Sequence, residues 1–252
     1  MRSTFFYLST FDKKIMSYEY LIAGFEEIAL GERPQMSDEQ LLELLNEHLS
    51  ASDKELLDLL RRRSDDPAII ELLEDDAVLD RKAELSLSDE DFRTQLLYEQ
   101  GQKCRNKFVR EWFAYNMDVN NVLAAAVAIK HEMDVQKVIV GDNDVAQELR
   151  KGGQLGKNAR LAALVPDLKE VAEIAEIGDL LDREKHIDAL RWRWLEDRTL
   201  FEVFNIEAVL AYYLKATILH RWDNLTVEQG EQVFRAMVAD MKKGVKLDAK
   251  TW

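Results

Sequence analysis

The segment Gly152-Gly-Gln-Leu-Gly156-Lys157-Asn158 has the glycines and the lysine that could cradle a phosphate. A phosphate loop needs a glycine five residues before the final glycine, and a Ser or Thr after the lysine to hold magnesium. Lys151 and Asn158 occupy those two positions, so the segment reads as a flexible linker and no direct nucleotide contact is expected. His48, His131, His186 and His220 lie far apart, and none has a second histidine at helical ligand spacing. No Glu precedes any of them by three residues, so the di-iron bundle motif is absent and no metal is expected. Cys104 stands alone without a nominated base, which favours a packed thiol over a nucleophile. No pair of carboxylates is singled out for acid–base work. The expected site residues are therefore none in each class: catalytic, cofactor-binding and metal.

Two features point to contact rather than catalysis. Arg191-Trp192-Arg193-Trp194 combines side chains that stack on bases or sit at membrane interfaces. On a helix the two indoles are about 200° apart and form no single platform. One Trp in the core and one against a neighbouring helix, with the arginines reaching out to water, is the simpler expectation. Glu207 and Lys215 fall on a helix that otherwise reads as buried, where charges should be paired.

The elements that hold these residues are helical. Among 252 residues there are only 3 prolines and 10 glycines, too little turn chemistry for a sandwich or barrel of many short strands. Hydrophobic residues make up 47%, enough for a buried core. The expected fold is all-α, a multi-helix bundle with helical subdomains and at most a short strand or two, near 138–140 or 18–23. Val138-Ile-Val-Gly141-Asp-Asn143 reads as a short strand or as a buried connector.

Helix starts are explicit. Ser37-Asp-Glu-Gln40, Ser52-Asp-Lys-Glu55 and Thr226-Val-Glu-Gln229 have the spacing of capping boxes. Asp66-Pro67 places an acceptor at the N-cap and proline at the first helical position, and Ser88 opens another segment. Over 103–131, Phe108, Trp112, Tyr115, Val119, Val122, Ala126 and Ile129 form a seam of about 3.5-residue period. Residues 179–199 place Leu180, Ile187, Leu190 and Trp194 on one stripe. Residues 204–222 are apolar on more than one face, through Val209, Leu210, Leu214, Thr217 and Ile218 and again through Ala211, Ala216 and Leu219. A last helix would turn Val227, Phe234, Met237, Val238 and Met241 inward. Residues 1–15 are expected to be a dispensable extension and 16–252 one helical domain, with two lobes meeting near 132–166.

Charge narrows the function. The formal charge is −14, which argues against nucleic acid as a partner. Residues 37–91 hold 18 Asp/Glu and 6 Lys/Arg, so nearly the whole imbalance sits in one block. A solvated face on amphipathic helices explains such a block, and so does a docking face for a basic partner. The longest apolar runs, 122–129 and 208–214, fall far short of the roughly 20 residues that cross a bilayer. With no secretory signal legible and a single cysteine, a reducing cytoplasm is the expected setting.

The C-terminal third carries a resemblance. Asp188-Ala-Leu-Arg-Trp192-Arg-Trp194-Leu-Glu-Asp and Phe204-Asn-Ile-Glu207-Ala-Val-Leu-Ala-Tyr212-Tyr-Leu-Lys215 are similar to the C-subunit family of V-type rotary ATPases and ATP synthases, whose eukaryotic members are the d-subunits. Tyr115-Asn-Met-Asp118-Val-Asn120-Asn121 resembles that family's Asp-x-x-Asn helix, and Tyr18-Glu-Tyr-Leu-Ile-Ala-Gly24 its opening segment. More closely, the chain from about Met16 looks like an uncharacterised bacterial branch accompanying V-type ATP synthases. Gly141-Asp-Asn143 and Arg221-Trp222 belong to that branch's pattern, and Thr217–Trp222 departs from the classical one. The resemblance implies a non-catalytic, all-helical adaptor between the membrane ring and the central stalk. It would be peripheral on the inner face of the cell membrane, without a transmembrane segment, cofactor or nucleotide. A free helical scaffold binding another partner through 37–91 is the alternative, and a helical enzyme whose residues converge only in space is the third possibility.

Overall fold

The computed structural model describes residues 18–85 and 87–224. Among these residues 73% are helical, in 12 α-helices with short 310 turns between them, and no strand occurs. The chain is all-α. Of the two segments that could hold a short strand, 18–23 are helical (α1), and 138–140 are the buried connector that the sequence offers as its other reading.

Most start signals operate as read. Before α2 (Asp38–His48) the amide of Gln40 donates to Ser37 Oγ (3.2 Å) and that of Ser37 to Gln40 Oε1 (3.0 Å), closing a reciprocal box. Asp66 caps α4 (Pro67–Ile70) through the amide of Ala68, and Asp75 caps α5 (Asp76–Glu84). Ser88 caps α6 (Asp89–Lys103) and in turn donates to Asp91 Oδ2 (2.6 Å). One start is shifted. The cap of α3 (Ala51–Arg61) is Ser50, not Ser52, and its partner at the third helical position is Asp53. Leu57 is buried on this helix, and Ser52, now inside the first turn, bonds Ser50 Oγ at 3.0 Å. The box at Thr226 and the last helix, like residues 1–15, lie outside the described residues.

The described residues separate into two compact units, 18–48 with 202–224, and 49–201. The region 132–166, where the sequence suggests a division, therefore lies wholly inside the second unit. In the first unit α2 packs on α12 (Ile206–Asn224). Phe25 stacks on Tyr212 with centroids 4.0 Å apart, and the Glu26 carboxylate accepts from the amides of Gln35 and Met36. Burial and the Glu26 charge push the Tyr212 hydroxyl up to about 12. Val209, Leu210, Ala211, Tyr213, Leu214, Ala216, Ile218 and Leu219 are buried, so α12 is apolar around most of its circumference. Thr217 is the exception: it is exposed and donates back to Tyr213 O (2.9 Å).

The second unit is built around α7 (Lys107–Lys130), about 36 Å long, flanked by α6, α8 (Asp144–Arg150) and α10 (Leu168–Ala175). With α9 (Ala159–Leu164) and α11 (Leu180–Thr199) these enclose a core of Val119, Val122, Ile139, Leu149, Leu161, Val171 and Leu190, among others. A satellite core under α4–α6 holds Ile69, Phe92 and Leu96. The α7 seam covers only part of what is buried. Phe108, Val119 and Val122 lie inside, but Ile129 is 40% exposed. Val109, Phe113, Met117, Ala125 and Ala128 are buried on another side, because α7 has neighbours around it instead of one partner. On α11, Ile187 and Leu190 are buried as expected, whereas Leu180 at its first turn is 62% exposed.

Candidate functional site

The residues that carry the resemblance on α7 meet the connector 138–143. A connector buried beside a helix has amides and carbonyls that no helix satisfies, so side chains must do so. Asn121, 2% exposed, does this in both directions: its Nδ2 donates to Val140 O (2.7 Å) and its Oδ1 accepts from Val140 N (2.9 Å). Gln95 of α6 accepts from Gly141 N (3.2 Å), and Arg150 of α8 donates to the carbonyls of Ile139 (3.1 Å) and Gly141 (2.6 Å). Asn143 accepts from Ala146 N as the N-cap of α8 and donates to Asp118 Oδ1 (2.7 Å). Gly141 has φ +78°, the left-handed conformation that favours glycine, and a Cβ there would lie 2.7 Å from Met117 Sδ, so the flexible end of Met117 would also have to shift.

The same face of α7 reaches α11. Arg191 donates to Asn116 Oδ1 (2.9 Å), Asp188 Oδ1 (3.2 Å) and Asn120 Oδ1 (3.5 Å). Asn120 donates to the Tyr98 hydroxyl (2.7 Å), which burial holds above its ordinary range. Gln95, Tyr98, Asn116, Asp118, Asn120, Asn121, Asn143 and Arg191 thus tie α6, α7, α11 and the connector together. Sequence reading found Asp118, Asn120, Asn121 and Asn143, with Asn116 inside the same quoted segment, but nothing in it marks Gln95 or Arg150.

Burial raises the Asp118 carboxyl above the usual carboxylate range, with the Asn143 amide opposing. A carboxyl raised in the folded state favours folding most below its unfolded value, and that advantage is lost as pH rises through the folded value. At pH 7 the charge is therefore a cost. Asp118→Asn keeps an oxygen for Asn143 and is expected to be neutral or stabilising at pH 7, by at most about 1 kcal/mol after solvent screening. Urea melts at pH 7 and pH 4 check this: the gain should vanish at pH 4. A loss of stability at pH 7 would show that the carboxylate is needed as a charge.

The other candidates resolve into packing. Trp192 is buried and its Nε1 donates to Glu196 (2.8 Å). Trp194 stacks on Tyr115 (5.3 Å) and packs on Phe108 and Trp112, with Arg198 over its ring at 5.5 Å. Arg193 is paired with Glu170 (2.7 Å) and Asp167 (3.5 Å). Gly152 and Gly153, at φ +74° and +105°, follow the end of α8, and Asn158 caps α9 while donating to Glu148. Cys104 ends α6, its carbonyl accepting from Arg110 (2.8 Å). His48 and His186 each bond a carbonyl one turn back. Glu207 and Lys215 are half-buried and each has a partner. Among the described residues no group of three His, Cys, Asp or Glu side chains could hold a metal ion, and no helix is long and apolar enough to cross a membrane.

No curated protein and no solved structure matches the chain. A family model does match, over residues 76–245, which covers α5 to α12 and so includes the whole polar lattice about α7. The chain belongs to the family described as "Protein of unknown function (DUF2764)".

Proposed function

We propose that this protein is a non-catalytic coupling component of a V-type rotary ATPase or ATP synthase, placed between the membrane ring and the central stalk. The observation that carries the proposal is the resemblance in 115–123 and 188–215 to the C-subunit family of those motors. A torque-passing element needs stiffness, and the matching residues on α7 and α11 lie in a hydrogen-bonded lattice between long helices, which supports the reading. In this role the protein is cytoplasmic and peripheral to the membrane through its partners, with binding as its whole function. The test is affinity capture of the tagged protein from solubilised native membranes, followed by reconstitution of the rotary complex with and without it. The ring and stalk should be recovered together with it, and omission should leave ATP hydrolysis running while ion transport falls to background. Unchanged coupling, with no trace of the protein in the intact complex, would defeat the proposal.

A second reading is favoured by the charge distribution: a free helical scaffold that docks a basic partner. Residues 49–91 of the second unit alone carry 14 Asp/Glu against 6 Lys/Arg. Many of these acids are exposed on α3, α5 and α6. Such binding would weaken steeply with salt, because exposed charges are screened over about 8–10 Å at physiological ionic strength. Capture of a basic partner without ring or stalk, and its loss at high salt, would select this reading.

A further inference from the structure

We propose that the second unit has a binding site for a small amphipathic monoanion, an apolar chain ending in one acidic group. The site is a cleft of about 450 Å³ between α7, the end of α10 and α11, within the size range of small-molecule pockets. Its floor is apolar: Leu123, Val127 and Ala128 of α7, with Met133, Val138 and Ile187. Arg183 and Arg191 stand on the same stripe of α11 as Ile187, at i−4 and i+4, about 12 Å apart along the helix.

The two guanidiniums differ in a way that points to a ligand. Arg191 is held by Asn116, Asp188 and Asn120, and most of its charge is answered by the buried Asp188 beside it. Arg183 is half-buried in the wall of the cleft, and among the described residues its side chain has neither hydrogen bond nor ion pair. A half-buried guanidinium against an apolar floor gains most from a carboxylate, which takes two parallel N–H bonds. Asp91 and Glu184 also line the cleft, but Asp91 already accepts from Ser88 Oγ and Glu184 has a partner. Two acids in the lining repel a polyanion while leaving one negative charge room at Arg183. The cleft therefore fits a single acidic group with an apolar body and disfavours nucleotides. This inference is independent of the coupling role.

Calorimetric titration of the full-length protein with decanoate, kept below its micellar concentration, tests the site. Saturable binding at one site is expected, with Kd on the order of 10–100 μM for a ligand of that size. Decyltrimethylammonium, with the same chain and opposite charge, should bind at least about tenfold more weakly. Arg183→Gln should weaken decanoate by about tenfold, and Ala124→Phe, at an α7 position that also lines the cleft, should abolish binding, both with the melting temperature kept. A flat titration overturns the proposal, whether a second copy of the chain or a stretch outside the described residues covers the cleft. Equal affinity for the cationic amphiphile, or no effect of Arg183→Gln, overturns it as well.

Discussion

Replacing Gly101 by alanine is expected to destabilise the second unit by about 3 kcal/mol, even though alanine is the better helix former by about 1 kcal/mol. Gly101 lies in the last turn of α6, against Phe113 of α7. A Cβ there would sit 2.1 Å from Phe113 Cγ and 2.3 Å from Cδ2. Phe113 cannot retreat, being 6% exposed and packed edge-on against Tyr98 with centroids 6.4 Å apart. The helices must separate or the ring must leave its rotamer, and either disturbs the lattice through Tyr98 and Asn120. Thermal melts should show a fall of roughly 6–12 °C. The cause is isolated by repeating the substitution in a Phe113→Ala background. That background is itself weakened by about 3–5 kcal/mol, but there Gly101→Ala should become neutral or stabilising as the helical preference re-emerges. An equal cost in both backgrounds would mean that the ring is not what requires glycine.

Asn121→Ala is the second large effect, with an expected cost of about 3 kcal/mol. Truncation strands both the N–H and the C=O of buried Val140, at about 1–3 kcal/mol for each unsatisfied group. Asn121→Asp separates the two bonds. It keeps the acceptor for Val140 N but sets a carboxylate oxygen against Val140 O, where the amide had donated at 2.7 Å. At pH 7 this variant should be at least as unstable as Asn121→Ala. The introduced carboxyl would have a raised folded-state pKa, so stability should return as pH falls and the protonated group donates to the carbonyl. Urea melts from pH 7 to pH 4, with hydrogen exchange at the Val140 amide, read this directly. A pH-independent cost for Asn121→Asp would refute the two-way bond.

What the sequence by itself determined is the all-α class and the starts of several helices, but not α1, α8, α9 or α10. Ser37, Asp66 and Ser88 mark starts because capping satisfies amides two or three residues away, and such short-range bonds are written in neighbouring residues. The apolar circumference of α12 was legible for the same reason, and so was the split of the two Trp between core and helix contact. Which is which was not legible, nor that Arg191, expected to reach out to water, is held by Asn116, Asp188 and Asn120. The resemblance also drew the eye to Asp118, Asn121 and Asn143. Tertiary structure alone decided what those residues do, because their partners are distant in the chain: Asn121 meets Val140 across 19 positions and Asn143 meets Asp118 across 25. It decided that the glycines of 152–156 mark a turn inside one unit while the chain divides at 48/49 and 201/202, since glycine reports where the backbone bends and not where packing ends. It decided as well that Gly101 is a point of helix contact and that Arg183 lines a mostly apolar cleft with no partner among the described residues. A missing side chain and an unanswered charge acquire meaning only from what folding brings beside them.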